Sequence, residues 1–319
     1  MDNWRVYLVD NIIFDRHESE MTDPYGKLPV LSTDGLVPVD TNLPIKLSMI
    51  ISFTNWRREQ LARSLETIAR QNFKEFEVLI CDIGSTQDMK SVYEVFSPYI
   101  KMKTKRIERE SWSSDPSRGI VEMLPDVSGD VIATMQPEMM LHPDCFDYLY
   151  GCHYGKFPET FSFTQSPDGY NEDNTYVNIR NYFLSTEITH ALDLIDWHTD
   201  IRNIETHPNF FTHHECLSSQ TNQWHWSHEP HKKWVWWFAS SAKKSSKIWE
   251  DMPKNMTGHA AIDFYLIAYK RLMRYLEFAP QIPLAYHQEH ARASISPSRD
   301  SWVSSADGIS EYLKSIGRL

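Results

Sequence analysis

The chain has 319 residues, enough for one large domain or two modest ones, and for a core that needs no disulfide or metal staple. A hydrophobic share of 41% with 24% charged residues excludes a disordered chain. The formal net charge of −11 argues against nucleic acid as main partner, because neutralising phosphates needs a basic surface.

Residues 1–46 hold Pro24, Pro29, Pro38 and Pro44 with Gly26 and Gly35 between them. Such punctuation makes turns and short extended pieces, so this segment is expected to be an N-terminal extension packed on the core. The first twenty residues carry acids on both sides of a short apolar stretch and no basic start, unlike a secretory signal. No run approaches the ~18 apolar residues of a spanning helix. The expectation is a cytoplasmic, soluble protein with no transmembrane segment.

LSMIISF (47–53) is short, apolar and rich in β-formers, which reads as a buried strand. RREQLARSLETIARQ (57–71) repeats Leu61, Leu65, Ile68 and Ala69 at helical spacing. FEVLICD (76–82) is a second buried strand, so 47–82 is a βαβ unit with parallel strands. A helix over 88–97, a strand over 101–107, a helix from Ser117 stopped by Pro125, and the strand DVIATM (130–135) continue the alternation. The fold class expected is α/β, a doubly wound and mostly parallel sheet flanked by helices, with ligands at the carboxyl ends of its strands.

After residue 150 the texture becomes polar, aromatic and His-rich. Antiparallel strands are expected at 157–165 and 175–185, a helix at 259–276, a strand at 281–287 and then a polar tail. The organisation read from this is an extension packed on the core (1–46), a first half (47–150), a second half (151–295) and a C-terminal tail (296–319). No internal repeat is found.

Five groups of residues could carry chemistry. Asp82, followed by Gly84 and Ser85, could hold a base or ribose; the same residues also make a turn capped by Asp82. Gln136-Pro137-Glu138 follows the strand ending at Met135, where hard oxygen ligands suit Mg²⁺ or Mn²⁺; an ordinary proline turn reads the same way. Asp263, at a helix start, could be a general base or simply a favourable charge there. His287 and His290 could bind metal or phosphate, or be surface histidines. His207, His213, His214, His225, His228 and His231, interleaved with five Trp up to Trp237, match no zinc spacing; they suit an aromatic acceptor platform or a self-packed loop. Cys81, Cys145, Cys152 and Cys216 form no CxxC pair and read as free thiols in a reducing compartment.

The order of these features resembles family 2 glycosyltransferases with the GT-A fold. The specific part is SMIISFTNWRREQLARSLETIARQNFKEFEVLICDIGS (48–85): strand, Thr-x-Asn-Arg-like turn, helix, and acidic strand end with Gly-Ser. PSRGI (116–120) looks like the family's Arg-containing segment, and Gln136-Pro137-Glu138 falls on its Asp-x-Asp signature. AAIDFYL and AYHQEH look like its later helix start and strand-terminal His. The resemblance covers 47–150 well and 235–292 loosely. It implies that Thr54, Asp82 and Gln136 face the nucleotide-sugar, Arg118 the diphosphate, and Glu138 and His287 a Mn²⁺ or Mg²⁺ ion. It implies Asp263 as base in an inverting transfer from a nucleotide-sugar, a UDP-sugar being favoured, to a glycan or other hydroxyl acceptor. The sugar would be a hexose or N-acetylhexosamine. The sequence departs from the pattern at Ile83, Gln136 and Ile262, each where the family usually has an acid. Those losses define the alternative, a catalytically degenerate GT-A-like sugar- or nucleotide-binding protein. A nucleotidyltransferase fits less well, because FTNWRRE after the first strand has no glycine.

Overall fold

Strands that are apolar on both faces need a layer on each side, and the two central strands here are buried at every position. The computed structural model describes residues 33, 35–53, 58–108, 117–155, 161–163, 174–179, 181–184, 210–212, 239–254, 261–273, 275–280, 284–287 and 308–319; Asp263 and His287 are placed by their backbone. The chain runs β1 (Leu47–Phe53), α1 (Arg58–Ala69), β2 (Phe76–Ile83), α2 (Lys90–Phe96), β3 (Met102–Ile107), α3 (Ser117–Met123) and β4 (Val131–Met135). It continues through β5 (Met139–Leu141), α4 (Cys145–Gly151), β6 (Phe161–Phe163), β7 (Thr175–Asn178), β8 (Asn181–Leu184), β9 (Phe210–Thr212) and β10 (Ala239–Lys243). Then come α5 (Lys247–Glu250), α6 (Ala261–Leu272), β11 (Leu276–Pro280), β12 (Ala285–His287) and a helix over 308–315, here α7.

Eight of these strands form one sheet in the order β3-β2-β1-β4-β10-β7-β11-β6, and β5-β12-β8-β9 form a smaller one. β3, β2, β1 and β4 are parallel, β10 is antiparallel to both its neighbours, and β11 returns parallel to β7. The doubly wound, mostly parallel sheet with a small, partly antiparallel annex is therefore the architecture expected from the sequence.

Period-two alternation divides the core. Leu47, Met49, Ile51 and Phe53 of β1 pack with Phe76, Val78 and Ile80 of β2 under α1, α2 and α4. Ile50, Leu79, Cys81 and Ile83 face the opposite layer, with Ile120 of α3, Tyr265 and Tyr269 of α6, and Ile309 and Leu313 of α7. At the amino ends of the strands, the buried Glu77 carboxylate joins three segments. It accepts from the Ser48 hydroxyl at 2.7 Å and the Ser128 N–H at 2.6 Å, and pairs with Lys103 at 2.9 Å. Burial works to raise its pKa, but Lys103, Ser48 and Ser128 outweigh burial and hold it low.

Four expectations change. The single strand expected over 175–185 is two strands in different sheets, because Ile179 bonds back to Ala239 before the chain leaves the large sheet. Of the strand expected over 157–165, the described residues are Phe161–Phe163, which pair antiparallel with β11 at the sheet edge rather than with β7. The last strand is Ala285–His287, and a strand at Leu276–Pro280 precedes it, with Pro280 at its end where no further ladder N–H is needed. The C-terminal tail is not wholly irregular: Ile309 and Leu313, one helical turn apart, bury themselves in the second core layer. Of the N-terminal extension, Leu36 packs on the first layer and the Val39 N–H bonds the Pro98 carbonyl at 2.9 Å.

Candidate functional site at the sheet switch point

Chain order fixes where a ligand can sit. From β1 the sheet grows outward through β2 and β3 with α1 and α2 on one face, then returns to β4 on the other side of β1 with α3 on the opposite face. The reversal leaves a crevice outside the carboxyl ends of β1 and β4, the place where open α/β sheets bind ligands. Phe53 ends β1 and Met135 ends β4 at this point. Thr54, next in the chain, lies outside the described residues, as do Cys216, His290 and the His and Trp residues between 207 and 237.

Asp82 lies beside Phe53 in the β1–β2 register and is 3% exposed. Its Oδ1 accepts the Ser85 N–H at 2.9 Å, closing a turn in which Gly84 takes a positive φ of 63°. Its Oδ2 is 3.7 Å from Nη1 of Arg106, the residue opposite it on β3. Nη2 of the same guanidinium donates to the Ser85 carbonyl at 2.9 Å. Both readings of Asp82 thus meet here: it caps a turn, and it stands at the crevice with one oxygen facing a half-exposed guanidinium. Sequence reasoning missed Arg106, because an Arg in a polar edge strand gives no signal until β3 is registered against β2.

Arg118 is placed by its neighbour. A Cβ on Gly119 would sit 2.0 Å from Ser52 Oγ and 3.0 Å from Cys81 Cβ, so only glycine lets α3 lie this close to the ends of β1 and β2. Arg118 is partly exposed beside that contact. Cys81 itself is no nucleophile, since burial pushes its thiol up to about 12.

Gln136, Pro137 and Glu138 form the turn from β4 into β5. Met139 N–H bonds the Gln136 carbonyl at 3.2 Å, and Glu138 is 6% exposed. The turn rests on fully buried polar residues of α1, Ser64 and Thr67, in a helix whose pattern predicts only an amphipathic face. The Ser64 hydroxyl donates to the Pro137 carbonyl at 2.6 Å, and Thr67 Oγ1 accepts the Leu141 N–H at 3.0 Å. Gln71 spans the next segment, donating to the His142 carbonyl at 2.8 Å and accepting the Phe146 N–H at 3.0 Å. β12 pairs antiparallel with β5 so that His287 stands opposite Met139, one residue from Glu138. The small sheet thus brings together two positions that are far apart in sequence.

Asp263 is the third residue of α6. The helix's other end is pinned near the amino ends of the strands. Tyr269 donates to Asp251 at 2.5 Å, and Tyr275 meets Ser246 at 2.6 Å close to where Lys244 N–H bonds Asp130. Asp263 lies almost two turns earlier, roughly 9 Å along the axis toward the carboxyl-end side. Arg318 adds to the pinning, reaching Asp251 Oδ2 at 2.7 Å.

Among the described residues no group of three or more His, Cys, Asp and Glu gathers around one point. Glu138, His287 and Gln136 could together offer a carboxylate, an imidazole and an amide oxygen. That set fits a divalent cation taking its other ligands from a diphosphate. Among the described residues no helix is long and apolar enough to cross a membrane.

No protein-family model matches this sequence, and no curated protein does. Among solved structures, the chain is similar to S. aureus TarS at 12% identity and TM-score 0.47, covering 77% of this chain and 37% of that one. A shorter form, TarS 1–349 in complex with UDP-GlcNAc, gives 12% identity and 0.48 over 82% of this chain and 64% of that one. The mannosyltransferase PcManGT from Pyrobaculum calidifontis, in complex with GDP-Man and Mn²⁺, gives 12% and 0.45 over 89% and 67%. The chain spans only 37% of the length of full TarS. Likenesses this distant do not carry an assignment, which rests on the chain's own strand order and site.

Proposed function

We propose that this chain is a glycosyltransferase that moves a sugar from a nucleotide-diphosphate sugar to an acceptor hydroxyl. The observation that carries the reading is the convergence on one switch point of Asp82, Arg118 and the Gln136–Glu138 turn, with His287 registered beside Glu138. That clustering is what supports the reading. In this reading Thr54 and Asp82 hold the nucleoside, and Arg118 draws the diphosphate. Glu138 and His287, with Gln136, would hold a Mn²⁺ or Mg²⁺ ion, whose chemistry is to neutralise charge on the leaving diphosphate. Asp263 takes the proton from the acceptor hydroxyl as its oxygen attacks the anomeric carbon from the face opposite the nucleotide, which inverts that centre.

Calorimetry with UDP, GDP, CMP and their common sugars, with and without Mn²⁺, tests the donor site. Binding of one nucleotide class, tightened by Mn²⁺, is expected; no binding to any nucleotide removes the reading. Asp263→Asn should lower kcat by roughly 10²–10⁴ and leave donor affinity nearly unchanged. Unchanged turnover in that variant takes Asp263 out of the mechanism. A second reading, a binding protein without turnover, is favoured by the neutral Gln136 and by the engagement of Asp82 with Ser85 and Arg106. It predicts a donor that binds yet is never consumed, with water or any acceptor.

A further inference from the structure

We infer that Ser64, supported by Thr67, is a positioning residue for the cation site, setting the pose of Glu138 from beneath. The inference rests on the transferase reading above. Ser64 and Thr67 lie on the face of α1 that packs under β5, Gln71 follows two residues past the end of that helix, and all three are 0% exposed. Three buried polar side chains are costly unless each is bonded, and each of these bonds the backbone between Pro137 and Phe146. An apolar stripe would pack as well but would leave those peptide groups unheld.

The Ser64 bond is the informative one. Pro137 has no N–H, so a ladder cannot hold it from that side. Its carbonyl shares a planar peptide unit with the Glu138 N–H, so fixing that oxygen at 2.6 Å fixes the plane from which the Glu138 Cα departs. The Ser64 hydroxyl has a single proton, and the alternative acceptor, the Gln60 carbonyl of its own helix, is farther at 3.1 Å. Three residues along, Thr67 holds the Leu141 N–H, so both ends of β5 hang from the same helix. β5 in turn sets the register of His287. One helix face thereby governs where both proposed ligands stand.

The test is the Mn²⁺ enhancement of nucleotide affinity, measured by calorimetry as the ratio of affinities with and without the ion. Groups that orient metal ligands from behind typically change metal affinity by about 10–100-fold when lost. Ser64→Ala should therefore cut the enhancement about tenfold and leave metal-free nucleotide affinity unchanged, a split that general loosening of the fold would not produce. Ser64→Thr, which keeps the hydroxyl, should restore it. If Ser64→Ala does not fold, Thr67→Val carries the test and should show the same split. An enhancement equal to wild type in a folded variant overturns the inference and leaves the transferase reading standing. A wild-type protein that binds nucleotide with no Mn²⁺ effect overturns the cation half of that reading and the inference with it.

Discussion

Gly119 is where the fold and the candidate site are most tightly joined, and Gly119→Ala measures that joint. The added Cβ would lie 2.0 Å from Ser52 Oγ, 2.9 Å from Ser52 Cβ and 3.0 Å from Cys81 Cβ. The Ser52 hydroxyl can rotate away, but the two Cβ atoms are fixed to β1 and β2. Carbon atoms settle about 3.5–4.0 Å apart, so α3 must lift by roughly half to one ångström. Overpacking of this kind costs about 1–3 kcal/mol, partly offset by the better helix propensity of Ala, up to about 1 kcal/mol. A net loss of about 1–2 kcal/mol is expected, read as a lower urea midpoint at unchanged m-value. Because Arg118 rides on the same turn, affinity for a nucleoside diphosphate should fall as well, by several-fold. Ser52→Gly removes the opposing Cβ. In a double-mutant cycle the two changes should therefore couple favourably by about 1 kcal/mol or more, and diphosphate affinity should partly return. Strict additivity of the two substitutions would refute the argument that this contact holds α3 against the strand ends.

Two further perturbations separate stability from site chemistry. Glu77→Ala strips the partner from Ser48, Ser128 and Lys103 together, and should cost about 2–4 kcal/mol by urea unfolding with little change in nucleotide affinity, since the network lies at the opposite end of the sheet. Its carboxyl is held below its ordinary value, so in the native protein this contribution is present above the unfolded value near 4.5 and fades as pH falls through the lowered folded value. His153 titrates in the opposite chemical sense but with the same direction in pH. Burial, with Lys243 nearby, lowers its pKa from 6.5 to about 3, so the folded protein resists a proton that the unfolded chain accepts. Stability from this group is full above pH 6.5 and falls as pH drops toward 3, by about 2 kcal/mol at pH 5. His153→Gln should flatten the slope of unfolding free energy between pH 6.5 and 4, and an unchanged slope would show that His153 is not the group responsible.

The bond pattern around His153 also settles its tautomer. Ser241 Oγ spends its proton on the Leu149 carbonyl at 2.7 Å, so at 2.9 Å it accepts from His153 Nε2–H. Nδ1 is then the unprotonated nitrogen, which fits a ring kept neutral inside the fold.

The first half of the fold was legible because local signals and tertiary demand agree there. LSMIISF and FEVLICDI can only be strands covered on both faces, and the helix between them shows its apolar face in Leu61, Leu65 and Ile68. Beyond residue 150 that agreement is lost. TYVN and NYFL read as one strand because nothing local marks the step between sheets; among the described residues the step shows in the bond from Ile179 to Ala239, a residue 60 positions on. α7 was missed for a related reason, as a short amphipathic pattern in a polar tail is visible only once a core exists to receive Ile309 and Leu313.

The candidate site divides along the same line. Asp82, Arg118, Gln136 and Glu138 follow strand ends or start a helix, so the α/β alternation alone puts them near one crevice. What holds them could not be read, since each hold is long-range: Arg106 meets Asp82 only through the β2–β3 register, and Ser64 meets Pro137 only because α1 lies under β5. The periodicity of Leu61, Leu65 and Ile68 marks an apolar face and says nothing of Ser64, Thr67 and Gln71, which are 0% exposed. α1 thus packs apolar side chains into the core and bonds the backbone of the β4–β5 turn and of β5 with its buried hydroxyls. That is the arrangement a site needs when its ligands sit on a turn whose proline denies it a ladder of its own.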